Sequence, residues 1–118
     1  MAVQSYRELI AWQKAMDLVS HVYDLTARFP EREAFGLTSQ LRRCSVSIPS
    51  NIAEGQGRLT RGEFKLFLGH ARGSLFELQT QISIAERLHY IDHQTHDQTL
   101  VQAVEVGKII NGLLAALD

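Results

Sequence analysis

Leu37, Leu41, Cys44, Ile48 and Ile52 recur at spacings of four, three, four and four, and the pattern runs straight through a proline at position 49. That spacing lays one apolar stripe along an α-helix. A proline inside a helix, however, removes one backbone hydrogen bond and presses its ring against the carbonyl four residues back, here that of Ser45. Periodicity and proline coexist only where surrounding structure clamps the helix, so the rest of the chain must supply packed partners. One kinked helix over 37–56 is therefore expected, not two short ones. Ser45, Ser47 and Ser50 lie close enough to satisfy freed backbone groups. The run Gly55-Gln56-Gly57 closes the helix.

The partners are legible on both sides. A first helix is expected over 6–28, opened by Ser5 and Glu8 at capping-box spacing and stopped by Phe29-Pro30. It carries two apolar stripes, one of Leu9, Trp12, Met16, Val19 and Tyr23, the other of Ile10, Ala15, Leu18, Val22, Leu25 and Phe29. That is more apolar surface than one core seam needs. Glu31 to Gly36 reads as a charged connection, with Gly36 a candidate for positive φ. Thr60 and Glu63 open a third helix over 61–88, whose seam of Phe64, Leu68, Ala71, Leu75, Leu78, Ile82, Ala85 and Leu88 is coiled-coil-like. Gly69 and Gly73 on it suggest close approach of a neighbouring backbone. A fourth helix is expected over 93–117 after an Asp92 N-cap, with Leu100, Val104, Ile110, Leu113, Leu114 and Leu117 inward and Gly107 and Gly112 allowing close packing. Residues 1–118 thus form one all-α domain, an antiparallel up-down-up-down four-helix bundle.

At 118 residues the chain suits a single domain, and its net charge of −1 argues against a dedicated DNA coater. The single Cys44 excludes an internal disulfide and a multi-thiolate metal site. No basic flank precedes an apolar run at the N-terminus, and no stretch approaches about 18 consecutive apolar residues. A cytoplasmic protein is the expectation.

The run Gly36-Leu37-Thr38-Ser39-Gln40-Leu41-Arg42-Arg43, followed by Ser47-Ile48-Pro49-Ser50-Asn51-Ile52-Ala53-Glu54-Gly55, resembles the signature of a bacterial four-helix-bundle family. The family is named for open reading frames in intervening sequences of 23S ribosomal RNA genes. Trp12 to Met16, Glu63-Phe64, Phe67-Leu68, Ala71 to Leu75 and Glu77-Leu78 are similar to its other helices, so the likeness covers about residues 6–91. The resemblance implies a left-handed bundle and a ring-like homo-oligomer, a pentamer for preference. It carries no defined chemistry, since the ribosomal association rests on gene location.

Residues 41–72 hold six basic side chains (Arg42, Arg43, Arg58, Arg61, Lys65, Arg72) against two acidic ones, Glu54 and Glu63. With Asn51 and Glu54 they form a candidate surface for a partner or for phosphates of structured RNA. The plainer reading pairs the arginines with Glu54, Glu63 or Glu77. Trp12, Phe67 and Phe76 are candidate oligomer contacts. Glu86 and His89 have the E-x-x-H spacing of di-iron bundles, but the chain has a single such pair. His89, His93 and His96 with Asp92 and Asp97 offer nitrogen and oxygen ligands that nothing in the sequence fixes, and they read as a polar turn. The serines of Ser45 to Ser50 lack a G-x-S-x-G context and a histidine base. Cys44 reads as an inert core thiol, and Gly55 with Gly57 lacks the rest of a phosphate loop. No catalytic, cofactor or metal residue is assigned. The expectation is a non-enzymatic, self-associating bundle; an RNA-associated protein and an adaptor docking a partner helix are the alternatives.

Overall fold

The computed structural model describes residues 5–118. Four helices follow one another: α1 (Ile10–Thr26), α2 (Leu37–Gln56), α3 (Arg61–Arg87) and α4 (His93–Ala116), with 3₁₀ turns at Tyr6–Glu8 and Glu31–Glu33. Each helix packs on its neighbours in the chain, and α4 returns to α1. Cross-helix side-chain pairs establish that neighbours run antiparallel. Ser47 meets Ser74 and Gln40 meets Gln81 between α2 and α3, while His21 meets Thr99 and Lys14 meets Glu105 between α1 and α4.

The helix α2 runs unbroken from Leu37 to Gln56 with Pro49 inside it, and Leu37, Leu41, Cys44, Ile48 and Ile52 are all buried. Support around the proline differs in detail from the serine-based expectation. The Ser45 hydroxyl donates to the Arg42 carbonyl at 2.9 Å, and the Asn51 amide donates to the Ser47 carbonyl at 2.8 Å. Ser47 itself reaches across to Ser74 at 2.9 Å, and Ser50 is exposed. On α3 the seam from Leu68 to Ala85 is buried as read.

Several details differ from, or decide between, what the sequence suggested. The first helix does not start at Tyr6. Ser5 Oγ accepts from the Arg7 amide at 3.1 Å, which closes a 3₁₀ turn, and Leu9 is extended (φ −72°, ψ 125°) before α1 begins. On α1 the core stripe is Ala11, Ala15, Leu18, Val22 and Leu25, whereas Ile10, Met16 and Tyr23 are exposed. The two alanines put the short side chains inward, where a neighbouring helix can come close. On α4 the buried residues are Thr99, Ala103, Val106 and Ile110, and Val104 faces solvent. Thr99 tolerates burial because its hydroxyl donates to the Thr95 carbonyl and accepts from His21 Nε2, both at 2.8 Å. Finally, a Cβ at Gly69, Gly73 or Gly112 would meet nothing within 4 Å, so no backbone approaches there. Close approach is found at Gly107, as expected, where a Cβ would lie 3.1 Å from Leu75 Cδ2, and at Gly55, where it would lie 2.7 Å from Phe67 Cβ and 3.1 Å from Phe64 Cδ1.

Gly36 also differs: its φ is −108°. What its missing side chain permits is the approach of the Glu33 carboxylate, whose Oε1 would stand 2.5 Å from a Cβ there. Glu33 Oε1 accepts from the Leu37 amide at 3.0 Å, supplying the cap that α2 otherwise lacks, and Oε2 accepts from the Tyr90 hydroxyl at 2.7 Å. The Leu37 amide first, and then the Tyr90 hydroxyl, hold the Glu33 carboxyl below its ordinary 4.5. A depressed carboxylate stabilises the fold above its unfolded pKa, and that contribution is lost as pH falls through the folded value. Glu33→Gln is therefore expected to lower the melting temperature at pH 7 and to have much less effect in acid, once the pH has fallen through the lowered folded value and the native carboxylate protonates too. Thermal melts of both proteins at the two pH values check this; equal shifts would refute the charged cap.

Among the described residues α4 is the one helix long and apolar enough to cross a membrane by length and composition. Its Thr99–Ala103–Val106–Ile110 stripe instead lies buried in contact with α1 and α3.

Candidate functional site

The basic residues singled out in the sequence do not form one patch. Arg42 lies in the second turn of α2 and Arg58 just past its last residue, Gln56, so about 20 Å of helix separates them. Arg42 is committed to the fold. Its Nε donates to Thr26 Oγ1 at 2.9 Å, and its guanidinium lies 4.6 Å from the Tyr23 ring centre, tying the start of α2 to the end of α1. Arg58 pairs with Glu54 at 3.6 Å and covers the Phe67 ring at 4.6 Å. Lys65 pairs with Asp118, and Arg72 lies over Phe76 at 5.5 Å. Arg43 and Arg61 are exposed and pair with no acidic group among the described residues. Asn51 is spent on Ser47. The pairing reading of the arginines thus holds for Arg58, and Arg42 has a structural task that the sequence did not suggest.

Apolar surface is more continuous. Tyr6, Trp12, Met16, Val46 and Pro49 line a groove of about 290 Å³ between α1 and α2. It adjoins a second cleft of about 600 Å³ bordered by Tyr23, Phe35, Thr38, Arg42 and Val46. Phe35 at its rim is 100% exposed. Of the three aromatic residues proposed as oligomer contacts, Trp12 lines this groove. Phe67 packs over Gly55, and Phe76 is exposed on α3. Phe67 and Phe76 are nine positions apart, so they project from opposite sides of α3. A further apolar surface follows Leu100, Val101 and Val104 along α4.

Between α2 and α3 a polar seam runs through the core. Cys44 Sγ donates to Gln81 Oε1 at 3.4 Å, and Gln81 donates to Gln40 at 3.4 Å. Burial first, and then the Glu77 charge, push the Cys44 thiol up to about 12. It is a packing residue and no nucleophile at neutral pH.

At the other end of the bundle the structure joins groups that the sequence kept apart. The connector after α3 closes with the Tyr90 amide on the Ala85 carbonyl and the His89 amide on the Glu86 carbonyl, both at 2.9 Å. His89 adopts φ 64° to make that turn. It therefore leaves the Glu86-x-x-His89 pairing unmade. The same turn brings the first residues of α4 back against Glu86. His93 Nδ1 lies 2.8 Å from Glu86 Oε2, and His96 Nδ1 lies 3.8 Å from the same oxygen. Asp97 contacts His93 Nε2 at 3.1 Å and His96 Nδ1 at 2.9 Å, and Ser83 Oγ lies 3.1 Å from His96 Nε2. Asp92, read as a possible ligand, caps α4 by accepting from the Thr95 amide at 2.7 Å. Hydrogen bonding to Glu86, with the Asp97 charge behind it, raises the His93 pKa. Ser83, His96 and Asp97 stand in the order of a nucleophile, a base and an orienting acid. Yet Ser83 is inside α3, whose own hydrogen bonds occupy the amides that an oxyanion would need. His93 and His96 were legible as donors at the start of a helix; what the sequence did not show is that the short connector sets them against Glu86 in the last turn of the helix before it.

No curated protein sequence matches the chain. The fold is shared with a crystal structure of a protein of unknown function from the S23 ribosomal protein family of Bacteroides thetaiotaomicron, with a TM-score of 0.84 and 19% identity over 90% of this chain and 96% of that one. A family model for the 23S rRNA-intervening sequence protein matches residues 7–112. With nearly the whole chain matched, and with four antiparallel helices in place, the protein belongs to the 23S rRNA-intervening sequence protein family.

Proposed function

We propose that the protein is a non-enzymatic, cytoplasmic scaffold that assembles into a ring of identical subunits and presents its polar, partly basic surface to a larger partner. The observation that carries this reading is the uncovered apolar face of α1 and α2, where Met16 and Val46 are 42% and 40% exposed beside the Trp12–Pro49 groove. A ring uses two different faces of each subunit. The α4 surface around Val101 supplies the second, and five copies is the number that the family resemblance favours. Burying aromatic and aliphatic side chains of this kind is the usual source of association free energy.

Native mass spectrometry of the wild-type chain is expected to give a multiple of 13.3 kDa, five-fold for the favoured ring. Met16→Glu with Val46→Glu is expected to yield single copies that keep the helical circular dichroism, because both residues lie outside the core. A wild-type chain that runs as one copy would end the reading and favour an adaptor that docks a partner helix on the same groove. The spectra are taken with and without structured ribosomal RNA. Exposed Arg43 and Arg61, which pair with no acidic group among the described residues, favour phosphate contact as a second reading, and an RNA-bound species that dissociates as salt rises would support it.

A further inference from the structure

We propose that Glu86, His93 and His96, with Asp97 beside them, bind one divalent transition-metal ion of the zinc class. One ligand atom from each of the first three lies within 4.8 Å of the other two. The donors sit on two elements fixed against each other: Glu86 in the last turn of α3, and the histidines one turn apart at the Asp92-capped start of α4. The two imidazoles are nearly parallel, 14° apart with centres separated by 6.0 Å; His93 directs Nδ1 at Glu86 Oε2, and His96 Nδ1 lies near the same oxygen while bonding Asp97 Oδ1 at 2.9 Å. The contact of 2.8 Å is a hydrogen bond and the contact of 3.8 Å is not. Donors about 2.0–2.2 Å from a tetrahedral zinc stand about 3.4 Å apart, so small side-chain rotations bring this set to coordination distance.

Charge argues the same way. Among the described residues, neither Glu86 nor Asp97 pairs with a lysine or arginine; their partners are the imidazoles alone. With neutral rings the cluster carries two uncompensated carboxylates, which a divalent cation neutralises. Imidazole nitrogens together with carboxylate oxygen select zinc, cobalt, nickel or copper over magnesium and calcium, which take oxygen donors. His96 is only 12% exposed, and Ser83 at its Nε2 holds the ring with Nδ1 on the side of Asp97 and Glu86, as outer-shell partners of metal-bound histidines do. A cleft of about 610 Å³, bordered by Ser83, Glu86, His89 and His93, gives an ion access from solvent and leaves room for a bound water.

The test uses the full chain without a histidine tag, stripped with chelator and titrated with zinc chloride by calorimetry; cobalt chloride gives an optical readout of coordination. One equivalent per chain is expected, with a zinc-dependent rise in melting temperature. Loss of an outer-shell partner already weakens metal sites about 10–100-fold, so His93→Ala and Glu86→Gln should each weaken binding at least about tenfold. His89→Ala should leave binding unchanged. His93 is exposed and Glu86→Gln preserves volume, so both variants are expected to fold, with circular dichroism as the check. No uptake by the wild type, or uptake that His89→Ala reduces as much as His93→Ala does, would overturn the site.

Discussion

Ile48→Ala is expected to lower the unfolding free energy by about 3–5 kcal/mol, the upper part of the range for a buried isoleucine cut to alanine. Ile48 is fully buried, one position before Pro49. At this point α2 already lacks a backbone hydrogen bond, so its continuity depends on packing. The cavity has little room to collapse. The α2–α3 spacing is held by the Ser47–Ser74 hydrogen bond on one side and by the Gly55–Phe67 contact on the other. Since domains of this size are stable by about 5–15 kcal/mol, the variant should stand near the edge of folding. Chemical denaturation read by circular dichroism measures the loss. Adding Pro49→Ala to Ile48→Ala restores the missing amide and should recover part of it. A loss below about 1 kcal/mol would show that packing does not hold α2 together at the proline.

Gly55→Val should cost about 3 kcal/mol, because overfilling a packed contact forces backbone to move. A β-carbon at position 55 would stand 2.7 Å from Phe67 Cβ and 3.3 Å from the Phe64 carbonyl oxygen. None of these atoms is the free end of a flexible chain, so α2 and α3 must part near their shared turn. Gly69→Ala supplies the opposite sign from the same residue type. Its β-carbon meets open space, and alanine gains about 1 kcal/mol over glycine inside a helix. Denaturation midpoints of the two variants on either side of wild type are the expected result. Two destabilised variants would show that Gly69 has a neighbour after all, for instance across a subunit boundary.

The parts of the fold that could be read from sequence are those where apolar residues are large and the opposite face is polar. On α2 and α3 the inward residues are leucines and isoleucines at unambiguous spacing. On α1 two stripes compete, and the one that buries contains Ala11 and Ala15 rather than Trp12 and Met16. Hydrophobicity alone favours the bulkier stripe, while close packing favours the smaller one. On α4 the buried Thr99 and Ala103 carry a weak apolar signal, and Thr99 is admitted because its hydroxyl donates to the Thr95 carbonyl and accepts from His21 on another helix. The family resemblance rested on the α2 signature, and the match over residues 7–112 agrees with it. The basic surface looked continuous because positions 41–72 are contiguous in sequence, but an α-helical hairpin spreads them over its length. For the histidine cluster, the sequence offered Glu86 with His89 as a lone pair, and His89, His93 and His96 with Asp92 and Asp97 as donors that nothing fixed. The left-handed turn at His89, a position where glycine would ordinarily announce it, redirects the chain and substitutes His93 and His96.

The lone thiol of the chain has a practical consequence. Because Cys44 is sealed between two helices and protonated, maleimides and oxidants find it only when that interface opens. Its rate of alkylation is therefore a clock for opening of the hairpin, available without adding any label, and the folded protein should run on a non-reducing gel free of covalent dimers.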